Sequence, residues 1–67
     1  SDLEGLVLQM SAEAAVTALD YEFAYQCCER LIGLSHSPAW SVCVRLAEQE
    51  GFRNIDSKAK LLSFALT

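Results

Sequence analysis

The sequence predicts an all-α chain of about four antiparallel helices set out as helix-pair repeats, a slice of an α-solenoid, with a free-standing four-helix bundle as the alternative. Three observations carry this. Apolar residues recur at three- and four-residue spacing along most of the chain, the period of an amphipathic helix. No run alternates as a half-buried strand would: Val42, Cys43 and Val44 have strand propensity, but they share helical spacing with Trp40, Leu46 and Ala47. Helix starts near residues 2, 20, 37 and 56 place the first and third helices, like the second and fourth, about 35 residues apart, the period of helix pairs that stack into solenoids.

The first helix is predicted over 2–19. Leu3, Leu6, Val7, Met10 and Ala14 lie on one stripe that continues through Ala15 and Ala18 to Leu19, with Asp2 or Ser1 as cap and Ser11 the one place it could break. Asp20 precedes Tyr21, Ala24, Cys27, Cys28, Leu31 and Ile32 and reads as the N-cap of a helix over 20–33. Gly33 and the Leu34-Ser35-His36-Ser37 stretch end it. Ser37 followed by Pro38 reads as an N-cap with proline at the first helical position, starting a helix over 37–50. Gly51 stands where a left-handed residue commonly closes a helix. Asp56 then caps a last helix over 56–66 carrying Ala59, Leu62, Ala65 and Leu66.

Composition narrows the function classes. The chain has 67 residues, 52% of them apolar, and a formal charge of −4, so it should fold but can build only a small core, worth roughly 3–5 kcal/mol. It starts without a methionine and stops at Leu66-Thr67 directly after an apolar helical pattern, which reads as a fragment of a larger helical domain. Five basic residues against nine acidic ones give no footprint for direct nucleic-acid binding. No apolar run is long enough to span a bilayer, and the start lacks the pattern of a signal peptide. Three cysteines, two of them adjacent, make no even-numbered disulfide framework, and a reducing, cytosolic setting is expected.

No catalytic or metal site is expected. Cys27, Cys28, His36 and Cys43 are spaced unlike any zinc module, and adjacent helical cysteines point about 100° apart. They read as small apolar residues, with Cys43 in the core. His36 lies between Ser35 and Ser37, where neighbouring side chains cannot form a nucleophile relay. There is no Gly-x-Ser-x-Gly elbow, no glycine-rich phosphate loop and no carboxylate pair with an evident reason for a raised pKa. The chain is therefore expected to be no enzyme and to take no cofactor and no small-molecule substrate.

Charge is the most distinctive feature. Residues 1–29 carry −6 and no base, whereas residues 30–67 carry +2. The plain reading is N-cap acids and a solvated face. The sharper one is complementary ends of stacked repeats, or an acidic patch for a basic partner, with Glu13, Glu22 and Glu29 as candidate contacts. The aromatic residues Tyr21, Phe23, Tyr25, Trp40, Phe52 and Phe64 are expected to pack helix against helix. Trp40, just after Pro38, should lie on the second helix and fix the turn; full burial would make Trp40→Ala cost ~3–5 kcal/mol.

The run Ala18-Leu19-Asp20-Tyr21 through Cys28, the Trp40-x-x-Cys43 spacing, Glu50-Gly51-Phe52 and the closing Phe64-Ala65-Leu66-Thr67 together resemble the neuroblastoma-amplified sequence family, within its secretory-pathway helical domain. The resemblance covers residues 18–67 and rests on structural residues. It implies a long cytosolic α-solenoid, a subunit of the Dsl-type tethering complex that captures Golgi-derived vesicles at the endoplasmic reticulum and assists SNARE assembly. A link to nonsense-mediated mRNA decay is also implied. The implied partners are other tether subunits and endoplasmic-reticulum SNAREs, with peripheral attachment to the membrane through them. No catalytic motif comes with the resemblance, and Pro38, Trp40, Cys43, Gly51 and Phe52 would be scaffold residues.

Overall fold

A computed structural model describes residues 2–67. The described residues form helices α1 (Asp2–Thr17), α2 (Tyr21–Gly33), α3 (Trp40–Ala47) and α4 (Ile55–Ala65), with a 3₁₀ turn, Ser37–Ala39, leading into α3; they contain no strand. The most extensive packing is α1 on α2 and α3 on α4, so the all-α chain is built as two helix hairpins. Both α1 and α4 also touch the other hairpin, but share no substantial contact with each other.

Hydrogen bonding explains where the helices stop. At the end of α1, Leu19 N–H donates to the Val16 carbonyl and Asp20 N–H to the Ala15 carbonyl, at 3.0 and 2.8 Å. At the end of α2, Ser35 N–H donates to Ile32 and His36 N–H to Leu31, at 3.0 and 3.1 Å. Both pairs form the Schellman pattern, whose pivot is a left-handed residue usually filled by glycine. Here the pivots are Leu19 (φ 63°) and Ser35 (φ 53°). Gly33 is the last helical residue of α2 rather than its pivot, and no glycine has positive φ. Ser11 does not break α1.

Starts divide between expected and unexpected caps. Asp20 caps α2, its side chain accepting from Phe23 N–H. For α4 the cap is Asn54, which accepts from Ser57 N–H at 2.9 Å, and Asp56 falls in the first turn. Asp2 is already inside α1, while the reading of Ser1 as its cap lies outside the described residues. Ser37 is not the cap of α3: the chain enters through the tighter 3₁₀ turn, in which Ser37 is the first residue, His36 stands at the cap without a side-chain hydrogen bond, and Ala39 leads into α3.

The expected helix over 37–50 is therefore shorter, and Gln49 explains its end. The Gln49 side-chain amide donates to the Arg45 carbonyl at 3.1 Å, while its oxygen accepts from the Tyr21 hydroxyl at 3.3 Å. Phe52 N–H then closes a turn on the Gln49 carbonyl. Gly51 serves this turn by its size, not by a left-handed conformation: a Cβ there would stand 2.7 Å from the Tyr21 ring.

One core draws on every helix: Ala12, Val16, Ala24, Cys28, Leu31, Ala39, Val42, Cys43, Leu46 and Leu61 are almost wholly enclosed. The three leucines each contribute about 1.5–3 kcal/mol by leaving water. Phe52 is buried at its edge, 6.4 Å from the Tyr21 ring and 5.8 Å from Tyr25. Trp40 departs from expectation, being 56% exposed. Ala39 takes the enclosed place beside it, and α3 turns Val42, Cys43, Leu46 and Ala47 inward, leaving Trp40 outside. Phe23 is likewise exposed, so the aromatic residues pack between helices only at Tyr21, Tyr25, Phe52 and Phe64.

Candidate interaction surface

The surface of α1 follows from what the helix buries. Its inward residues, Gly5, Ala12, Ala15 and Val16, are small, and they let the backbone approach α2 closely. The large apolar residues, Leu3, Leu6, Val7 and Met10, are 51–69% exposed. The stripe expected for α1 thus exists but faces outward. Around the helix its ridge is bordered by Glu4 on one side and by Asp2 and Glu13 on the other.

A second outward ridge runs along α4. Leu61 points into the core, whereas Ile55, Leu62 and Leu66 are exposed, with Ala59 between them. Around the helix Lys58 borders this ridge on one side and Asp56 on the other, while Lys60 lies further round, toward Glu29, and Arg53 precedes the cap.

Ion pairs join the acidic and basic halves. Arg30 meets Glu4 at 2.9 Å and Lys60 meets Glu29 at 3.2 Å. Arg45 donates to the Thr17 hydroxyl at 2.9 Å and reaches the Glu13 carbonyl at 3.5 Å. All of these contacts lie at the surface, where the two ion pairs contribute about 0–1 kcal/mol each. Of the candidate contacts, Glu29 is held by Lys60, Glu13 is half-buried, and Glu22 is exposed in the first turn of α2. Sequence reasoning missed Arg30, Arg45, Lys60 and Gln49 because their partners lie 26 to 32 residues away, or 28 for Gln49 with Tyr21.

The thiols and the histidine sit elsewhere. Cys27, Cys28 and Cys43 are free and buried. A hydrogen bond with Cys43, and then burial, pushes the Cys28 thiol up. The same bond pulls Cys43 down against burial, which also pushes Cys27 up. Among the described residues, no three His, Cys, Asp or Glu side chains are gathered as a metal would need. His36 lines an open cleft of about 540 Å³ with Asp2, Gly5, Leu6, Leu34 and Pro38. Its Nε2 and Gln9 Oε1 are buried without a hydrogen-bond partner among the described residues. No described helix is long and apolar enough to cross a membrane.

Fold and surface together define an all-α module of two helix hairpins whose first and last described helices each present an exposed apolar ridge. The chain is similar to the NBAS subunit of NRZ tethering complex of Homo sapiens, with 33% identity over 63 residues. Those residues are 94% of this chain but 3% of that protein, so the chain spans a small part of its relative. The similarity reaches well into α1, beyond the residues 18–67 that carry the resemblance. No family model matches the chain, and no solved structure matches it.

Proposed function

We propose that the chain is a non-enzymatic scaffold segment of a vesicle-tethering subunit, acting in Golgi-to-endoplasmic-reticulum retrograde transport and SNARE assembly. The observation that carries this reading is the identity shared along almost the whole chain with a tethering-complex subunit. Its mechanism is geometric: paired helices hold outward faces at fixed angles for protein partners, and no bond is made or broken. The partners are other tether subunits and SNAREs of the endoplasmic reticulum, and they hold the protein at the membrane from the cytoplasmic side. Glu13, Glu22 and Glu29 are the acidic contacts for them, with Glu22 the most available.

Affinity capture from detergent-solubilised endoplasmic reticulum tests this, read out with antibodies against tether subunits and SNAREs. The chain should retain them, and a Glu13→Lys, Glu22→Lys, Glu29→Lys variant of equal helicity should not. Failure of the unaltered chain to retain any overturns the tethering reading. Equal retention by both forms removes the acids from the contact and leaves the scaffold role.

A single core contributed by all four helices favours a second reading, a self-contained helical adaptor module. A sharp cooperative melt with no binding of hydrophobic dye would select it over the solenoid slice.

A further inference from the structure

We propose that Thr17 is a phosphorylation site, modified by an acidophilic protein kinase, and that its phosphate is received by Arg45 of the other hairpin. The inference does not depend on the tethering reading. Thr17 is the last residue of α1 and is exposed, as are Ala18, Leu19 and Asp20 after it. Among the described residues it is the one serine or threonine with an acid three positions on, Asp20, and Glu22 follows at five. Kinases that select acidic substrates read such residues beside the acceptor with a basic pocket. Asp20 caps α2 through Oδ1 and is itself exposed, which leaves Oδ2 for such a pocket.

Arg45 supplies the second observation. From α3, 28 residues away in sequence, its Nη2 donates to Thr17 Oγ1 at 2.9 Å, and the guanidinium forms no ion pair among the described residues. A hydroxyl is a poor match for a group whose fork of donors suits two oxygens of a carboxylate or phosphate. In the transfer, Thr17 Oγ1 forms a bond to the γ-phosphorus of ATP. The bond from that phosphorus to the bridging oxygen breaks, its electron pair leaves with ADP, and the hydroxyl proton passes to the kinase base. The ester oxygen no longer donates to the Glu13 carbonyl, 3.1 Å away. In exchange the phosphate sets about two negative charges beside Arg45, so a hydrogen bond to a neutral hydroxyl becomes an ion pair between the hairpins. Glu13, one turn back, and the C-terminal end of α1 oppose the same charge, and Arg45 holds the phosphate against them.

Casein kinase II with ATP tests the site on the 67-residue chain. Peptide mass spectrometry should place a phosphate at Thr17. An Asp20→Asn, Glu22→Gln variant, which keeps a capping side chain at the start of α2, should be modified on the order of tenfold more slowly. Phosphorus NMR tests Arg45. The phosphate of the modified chain should titrate several tenths of a pH unit below that of the modified Arg45→Gln variant, because a neighbouring cation favours the dianion. Circular dichroism checks that all forms are equally helical. A chain left unmodified at Thr17, or modified as fast without its two acids, overturns the proposal. Equal titration in the two modified chains overturns it as well, since the phosphate is then not held by Arg45.

Discussion

His36 occupies the space that any side chain at position 5 would need: a Cβ on Gly5 would stand 2.6 Å from the imidazole Cε1 and 2.8 Å from Cγ. The contact brings the turn after α2 against the first turns of α1. In an unobstructed helix, replacing glycine by alanine gains about 0.5–1 kcal/mol. Here the overlap reverses that sign. Gly5→Ala should lower stability by ~1–2 kcal/mol, whereas the same change in a His36→Ala chain should raise it. Urea melts of the four members of the cycle check this; a destabilising Gly5→Ala in both backgrounds would exclude His36 as the cause.

Trp40 and Leu31 should respond in opposite ways to truncation. The indole is largely in water, so Trp40→Ala should cost under about 1 kcal/mol. Leu31 is fully enclosed, and Leu31→Ala should cost about 2–5 kcal/mol, enough to unfold a chain this short. Thermal melts followed by circular dichroism distinguish the two, and a large loss at Trp40 would mean that the indole is covered in solution.

Leu19 carries a side chain where the helix turn asks for none. A left-handed conformation costs an L-residue roughly 1–2 kcal/mol, partly offset by the freedom glycine gains in the unfolded chain. Leu19→Gly should therefore stabilise by about 0.5–1 kcal/mol, because the leucine is exposed and its removal opens no cavity. Ser35→Gly should act in the same direction. Denaturant midpoints give the answer, and a destabilised Leu19→Gly would show that the side chain has a covering partner.

The buried thiols predict an alkaline loss of stability. Cys27 and Cys28 ionise less readily folded than unfolded, so their contribution is complete below about pH 8.5 and declines above it, by up to about 1.4 kcal/mol per pH unit for each thiol. Cys43, shifted the other way, reduces the slope. Chemical denaturation between pH 7 and 9.5 should show the decline, and Cys28→Ala should flatten it. A thiol-reactive dye should modify all three cysteines at once on unfolding and none quickly before it.

Periodicity was sufficient to find four helices and the inward positions of Cys28, Cys43 and Leu46, because one face of α2 and α3 is much more apolar than the other. On α1 two apolar stripes share one helix: Leu3, Val7 and Met10 on one, Gly5, Ala12 and Ala15 on the other. Spacing alone cannot choose between them. The choice is made by α2, which the small stripe allows to approach closely. Asp56 was the wrong cap because Asn54, two residues earlier, competes for the same role. Gln49 and Arg45 were illegible for a different reason: each acts on a residue of the other hairpin, a pairing fixed only once the hairpins dock.

The two Schellman turns also have a mechanical consequence. Where α1 meets α2, and again where α2 ends before the turn into α3, the chain leaves the helix without a glycine pivot and with paired hydrogen bonds across the joint. Such a joint is stiff. A force drawn along α1 is delivered to α2 as displacement instead of being absorbed as slack in the connection, so the hairpin behaves as a bracket and not as a hinge.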